Sequence, residues 1–451
     1  MAPKRFLKTL GERINKPVGS DTRNIIIPID QTTYKVDKAT IRKRALIFFS
    51  ILGFGSLFQY GYGWALHYFG GYSYPYTSPL FLPEDRFMDF FNPAWYAINK
   101  TRSNYGPFSQ LLSNCIAHFI DFSNGPYEAR HTISGVLSLG AMVALFWGSI
   151  GLLAWKVLEQ VTDKEGVAAR ITIFLLIFIS MVVSYPVIFT IDRGNYVAMT
   201  FVVLSLAVLF LRRPLLSAVL LGTALSLKFY LGLLLFPFYQ SRRYRFLLYT
   251  IAVIVITNSI PFLFSVLFEH SKANLFQLLP ISEGYFSGWS LAQKMAWSSH
   301  LLNLFFSAIY PIQFFFGVDS ARAAIPVIEK IYMFSIFLPS VLFGPWLISN
   351  VVKDLEGRLF YVTVLTILIA PNIGNYSLCY LLIFVPYLLA SGDQTYGYIS
   401  IILLALCLMP KNYLTLLVIG SQRVTLQALI NPLILLALFI VPFQKRLGLN
   451  L

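Results

Sequence analysis

Charge is what this sequence has least of. Only 12% of its 451 residues are Asp, Glu, Lys or Arg, about half the ~25% of a soluble globular domain. So few charges cannot coat a water-facing surface of this size, which excludes an ordinary soluble enzyme. Cysteine is nearly absent: Cys115, Cys379 and Cys407 have no CxxC partner, so no zinc or dithiol redox motif is readable. Cys379 and Cys407 sit in apolar runs and read as packing residues. No internal repeat is visible, which weighs against the commonest transporter architectures. No small-residue cleavage site follows the first apolar run, so a cleaved signal peptide is not expected.

What the chain has instead is apolar length. Hydrophobic residues make up 57% and aromatic residues 16%. Apolar runs of about 17 or more residues recur from end to end, the length a helix needs to cross a bilayer. The expected fold is an all-α polytopic membrane protein. The net charge of +15 sits between the apolar runs and at the N-terminus, as Lys and Arg do when they face the cytoplasm. Nucleic acid is therefore not an expected partner; membrane lipid is. Residues 1–44 hold eleven Lys/Arg against four Asp/Glu. Phe6, Leu7, Leu10 and Ile14 recur there at helical spacing among Lys4, Arg5, Lys8, Arg13 and Lys16. Two readings stay open, a helix lying on an anionic membrane surface and a solvated tail. The expected division is a cytoplasmic basic tail at 1–44, one transmembrane domain at 45–443 and a cytoplasmic tail at 444–451.

The first span is expected at 45–67, running outward. A long outer segment, 68–132, follows, rich in Phe, Tyr and Trp and too long for a simple connector. Spans are expected near 133–156, 171–190 and 196–211, with Lys156, Lys164 and Arg170 marking a cytoplasmic turn. The stretch 214–240 is apolar but bounded by Arg212-Arg213 and by Arg242-Arg243-Arg245. Both ends should face the cytoplasm, so the stretch should be a hairpin of two short helices with its tip near Lys228. Each arm of about 13 residues rises only about 20 Å, less than the ~30 Å hydrocarbon core. Short or broken helices at membrane depth occur where they line a cavity, and a lysine at such a tip marks a candidate site. A span at 246–268, a second outer loop at 269–300 with Glu283, Trp289 and Lys294, and an ambiguous run at 301–316 come next. Further spans are expected at 329–350, 358–371, 376–390 and 396–409, with one or two more in 412–443, for a total of about eleven.

On this topology three polar clusters fall on the outer side. They are Asp85 with Arg86-Phe87-Met88-Asp89-Phe90-Phe91-Asn92, then Asp192-Arg193-Gly194-Asn195, and Lys228 followed by Leu235-Phe236-Pro237. A carboxylate beside Arg and Lys at a membrane surface suits one task. It can take the proton of a hydroxyl while the cations hold a phosphate leaving group. Each residue also has a plainer reading. Asp89 can cap a helix, with Asp85 as the rival carboxylate. Asp192-Arg193 can be a neutralised pair, and Lys228 can snorkel. His131, beside Glu128 and Arg130, reads as a solvated helix start, and Asn99-Lys100-Thr101 is a glycosylation sequon that matters only in a secretory-pathway host.

The same residues carry a resemblance. Arg86-Phe87-Met88-Asp89-Phe90-Phe91 resembles the start of the polyprenol-phosphate-sugar glycosyltransferases of glycosyltransferase family 87, which have the GT-C fold. Residues 192–238 are similar to that family's middle segment, in which a Gly-Asn turn opens a helix and a Leu-Lys element follows. Here Leu227-Lys228-Phe229-Tyr230-Leu231 keeps the lysine and lacks the family's proline. Ala370-Pro371-Asn372-Ile373-Gly374-Asn375-Tyr376-Ser377-Leu378 resembles a late element of the family. The three elements cover about 300 residues in family order.

The resemblance implies an inverting glycosyltransferase with a GT-C-like bundle. It would move a sugar from a polyprenyl-phosphate-sugar donor to a hydroxyl of a glycan or glycolipid acceptor, on the outer side of a bacterial plasma membrane. Asp89 would be the general base, and Lys228 and Arg193 would contact the lipid phosphate. Asp192, Asn195, Asp85, Arg86 and Tyr376 complete the candidate substrate-binding set. Two cations could hold so modest a charge, so no metal or other cofactor is expected. Alternatives remain: a lipid-linked saccharide polymerase, ligase or flippase, in which outer-loop arginines and a histidine would carry the chemistry, and a secondary transporter, in which midplane charges would.

Overall fold

A computed structural model describes residues 36–72, 86–99, 106–163, 165–268, 300–307, 315–370, 374–392, 394–411, 415–419 and 422–444. The amphipathic stretch Phe6–Lys16, Asp85, the loop residues Glu283, Trp289 and Lys294, Lys100 and Thr101 of the sequon, and Pro371-Asn372-Ile373 lie outside the described residues. So do most of the second loop and the last seven residues.

Among the described residues the fold is helical, apart from one antiparallel pair of strands. Among the described residues four helices are long and apolar enough to cross a membrane: Lys38–Tyr68, Ile133–Val161, Tyr244–Pro261 and Ala323–Val351. A bent pair, Val167–Val182 with Tyr185–Arg193, would make a fifth. The remaining apolar helices are shorter, among them Val197–Leu209, Pro214–Leu227 and Gln427–Phe443.

Two helices show how the apolar residues are spent. Leu355–Ile369 is apolar all round and buried nearly all round, from Leu359 to Ile369 without a gap. A helix of that kind is a core element. It packs against the buried 3-10 segment Asn375–Phe384 and its continuation Val385–Ala390. Tyr244–Phe268 is equally apolar, yet Leu248, Val255, Ile256 and Leu263 are each more than half exposed. Large side chains left open in this way suit a hydrocarbon surround and are costly in water.

The first helix begins at Lys38, where Asp37 caps it by accepting from the Thr40 amide at 2.8 Å. Lys38 pairs with Asp163 and Arg42 with Glu165 at 2.7 Å. The start of the first helix therefore lies beside the end of Ile133–Val161. Since these two long helices run in opposite senses, the described residues between them, 86–99 and 106–132, lie toward the other end of the pair. They contribute the short helices Met88–Ile98 and Pro107–Ala117.

Three expectations change. The run 171–190 is not one straight span: the chain turns by 61° between Val182 and Tyr185. Pro186 in the first turn of the second arm removes an amide that a continuous helix would need. Of the one or two spans expected in 412–443, the described residues leave room for one. Thr415–Ile419 and Gln422–Thr425 pair as antiparallel strands, and the helix Gln427–Ile440 follows. The run 301–316 contains the six-residue helix Leu302–Ser307 and a helical pair at 315–316 among its described residues, while the next long helical stretch starts earlier than 329, at Val318.

The stretch 214–240 breaks at Lys228. Pro214 starts a 14-residue helix that ends at Leu227, and Lys228 takes an extended conformation at φ −140°, ψ 96°. A 3-10 segment, Phe229–Leu235, continues, and Pro237 marks the restart as Phe236–Gln240. The break occurs without the proline of the resembling family. Side chains from elsewhere hold it open: Ser109 Oγ donates to the Leu227 carbonyl at 3.0 Å, and the Phe229 ring lies where any side chain at Gly106 would sit.

Candidate functional site

The first two polar clusters meet. Phe87 precedes the helix Met88–Ile98 in the left-handed region, at φ 63°, which is costly for an aromatic residue. Its amide donates to the Asp192 carbonyl at 2.7 Å. On the facing side Gly194 ends Tyr185–Arg193 at φ 65°. A Cβ there would lie 2.9 Å from Phe90 Cβ and 3.1 Å from the Phe87 backbone. Only glycine fits both the turn and the close approach. The two turns are thus locked together through backbone.

That lock places four side chains in crossed pairs. Arg193 donates from Nη2 to Oδ1 of Asp89. Asn195 Nδ2 donates to the other oxygen of Asp89 at 2.8 Å, while its own Oδ1 accepts the Val197 amide at 3.0 Å. Arg86 Nε approaches Asp192 Oδ1 to 3.3 Å. Arg130, next to His131, reaches back to the Arg86 carbonyl at 3.3 Å. Asp192, Arg193 and Asn195 are buried, Asp89 is about one-fifth open and Arg86 is the most exposed of the set. Buried charges persist only when paired and hydrogen-bonded; here both carboxylates are paired with an arginine, and Asp89 also accepts hydrogen bonds from Arg193 and Asn195.

Lys228 is part-buried at its helix break and lies near enough to Asp89 to interact with it electrostatically. The segment after it is tied down by Tyr230, whose hydroxyl is 2.9 Å from Ser377 Oγ and 3.5 Å from the Tyr380 hydroxyl. Tyr376 stacks on Phe189, with centroids 6.1 Å apart, and its carbonyl accepts from Thr190 at 3.4 Å. Tyr376 therefore braces the Tyr185–Arg193 arm from behind. Tyr60, on the first helix, comes within electrostatic reach of Asp192 and Tyr185. Sequence reasoning missed Tyr60, Tyr230 and Ser377: single hydroxyls in apolar runs carry no local signal. Asp85, the rival carboxylate, lies outside the described residues.

Chemically, Asp89 offers two oxygens, each already accepting one hydrogen bond and each with a lone pair left. A hydroxyl could donate to either. Two cations, Arg193 and Lys228, are within the influence of the same carboxylate. Among the described residues no group of three His, Cys, Asp or Glu side chains could hold a metal ion. Compared with family models, curated proteins and solved structures, the chain matches none.

Proposed function

We propose that this protein is an inverting membrane glycosyltransferase of GT-C type, with about eleven spans counting its short and broken helices. Its donor is a polyprenyl-phosphate sugar, and its acceptor is a hydroxyl on a glycan or glycolipid of the cell envelope. The observation that carries this reading is the Asp89 carboxylate, held between Arg193 and Asn195 with Lys228 near it. Asp89 takes the proton of the acceptor hydroxyl. The hydroxyl oxygen attacks the anomeric carbon from the face opposite the phosphate, and the bond from that carbon to the phosphate oxygen breaks. Polyprenyl monophosphate leaves, and Lys228 with Arg193 balances the charge it gains.

The charge pattern supports an orientation with Lys38, Arg42 and the 163–170 turn in the cytoplasm and the Asp89 site outside, in the plasma membrane of a bacterium. Cys115 is an exposed thiol on the helix Pro107–Ala117, while Cys379 and Cys407 are buried. An impermeant maleimide added to intact cells should label the protein, and Cys115→Ser should abolish the labelling. Labelling only from the cytoplasmic side would reverse the orientation and remove the site from the outer surface.

Activity is tested with purified protein and a panel of short-chain polyprenyl-phosphate sugars, reading the release of polyprenyl monophosphate on addition of envelope glycolipid. Binding of the monophosphate, the product common to every donor sugar, is measured beside it, with the unphosphorylated prenol as control. Phosphate-dependent binding with transfer from at least one donor is expected. Equal binding of prenol and prenyl phosphate would overturn the reading.

A further inference from the structure

Arg193 faces two claims. The geometry gives its guanidinium to Asp89, yet a donor phosphate near Lys228 would compete for the same group. The backbones are fastened to each other, because the Phe87 amide donates to the Asp192 carbonyl and Gly194 lies directly under Phe87 and Phe90. The simplest exchange is therefore one of side chains. Asp89 is equipped for that, since Asn195 holds its second oxygen, and Asn195 is itself oriented by the Val197 amide. If Arg193 turned away, Asp89 would keep its place and one partner.

The charges favour such an exchange during the reaction. A donor phosphodiester carries about one negative charge, and a released monoester approaches two near neutral pH. Over the same step a carboxylate base gains a proton and loses its charge. Negative charge therefore disappears at Asp89 and appears at the phosphate. A cation lying between the two serves both ends if it changes partner. The second ion pair, Arg86 with Asp192, crosses beside the first and is not needed for the shift.

We propose that Arg193 is a shared cation: it holds Asp89 while the site is empty and passes to the lipid phosphate on loading, so that Asp89 is freed as a base only beside a bound donor. This rests on the glycosyltransferase reading above and adds to it an order of events. In the empty protein the Asp89 carboxylate acts as an internal competitor of the ligand phosphate. Removing it should tighten phosphate binding, and it should do so through Arg193.

The test is a double-mutant cycle read by equilibrium binding of a short-chain polyprenyl monophosphate to the full chain in lipid nanodiscs. The proteins are the parent, Asp89→Asn, Arg193→Gln and the double variant, with Asp89→Ser in place of Asp89→Asn if that variant does not fold. Releasing a charge-assisted contact should tighten binding by about tenfold in Asp89→Asn. The gain should vanish in the Arg193→Gln background. An unchanged affinity in Asp89→Asn overturns the proposal. So does an equal gain in both backgrounds, which is what the loss of a nearby negative charge would give without any exchange. Where the parent binds prenyl phosphate and transfers sugar but the cycle is additive, the exchange fails and the glycosyltransferase reading stands. Where prenyl phosphate binds no better than prenol, both fall.

Discussion

The protein buries cations in two different ways. Arg193 is held by a carboxylate from another element, and that carboxylate is itself held by an amide side chain. Arg44 and Lys411 are held by main-chain carbonyls. Arg44 donates from Nη1 to Leu389 at 3.0 Å and to Ser391 at 2.6 Å, at the end of the helix Val385–Ala390. It lies against Gly397 and 5.2 Å from the centre of the Tyr398 ring. Lys411 Nζ donates to the carbonyls of Leu406, Cys407 and Met409, where Gln394–Leu408 ends. Carbonyls at a helix end carry part of the helix dipole and welcome a cation. They can neither swing away nor take a proton. A carboxylate side chain can do both. The difference separates cations that fasten helices together from a cation that can take part in chemistry.

Neutralising the carboxylate tests that difference most severely. Asp89→Asn keeps the shape and an acceptor for Arg193 but removes the proposed base, so on the glycosyltransferase reading sugar transfer should fall by about 10²–10⁴, with the melting temperature close to that of the parent. Near-normal turnover would move the role to Asp85 or another carboxylate and would make Arg193 as purely structural as Arg44.

Two lysines sharpen the contrast, because both stand at the end of an apolar helix. Lys228 closes Pro214–Leu227, within electrostatic reach of Asp89; Lys411 folds back on its own helix. Lys228→Ala should weaken polyprenyl phosphate binding by about ten- to a hundred-fold, and Lys228→Arg should restore part of it, a planar fork being a poor copy of a compact ammonium. Unchanged binding in Lys228→Ala would remove the phosphate site from the helix break.

Arg44→Met and Lys411→Met should act on stability alone. Each leaves buried carbonyls without their donor, a cost of about 1–3 kcal/mol, visible as a lower melting temperature, with turnover per folded molecule unchanged. A specific loss of turnover in either variant would erase the distinction between fastening and reacting cations.

Much of the site was legible in the sequence. Asp89 and the Asp192–Asn195 turn are polar residues in apolar surroundings, where charge is costly and stands out. The break at Lys228 follows from basic clusters at both ends of 214–240, without reference to any contact. What stayed hidden had a different physical origin. The strands Thr415–Ile419 and Gln422–Thr425 are as apolar as a short span over their first half; β-branched residues flanking Gly420-Ser421 were the available signal. The 61° turn before Tyr185 was foreshadowed only by Pro186, one residue among many prolines. Arg44 read as part of a basic tail, because carbonyl partners some 345 positions away leave no mark on local sequence. Charge patterns report on the solvent around a segment, whereas tertiary partners are set by the fold as a whole.

The smallest expected effect concerns how Lys228 is kept in place. Lys411 needs no outside help, since its own helix supplies its acceptors. Lys228 sits on an extended residue between a helix and a 3-10 segment, with the Ser109 hydroxyl on the Leu227 carbonyl before it and the Tyr230 hydroxyl on Ser377 after it. Tyr230→Phe removes that hydrogen bond and leaves the ring. One hydrogen bond of this kind contributes about 0.5–1.5 kcal/mol. If it only stabilises the fold, the melting temperature falls slightly and phosphate affinity does not change. If it holds the break in register with the Asn375–Phe384 segment, prenyl phosphate binding weakens by about two- to tenfold. Ser377→Ala should then give a similar loss, and the double variant little more than either alone. We expect the second pattern. Additive losses in the double variant would mean that Tyr230 and Ser377 act separately, and that Lys228 is positioned by the carbonyl contact of Ser109 with Leu227 instead.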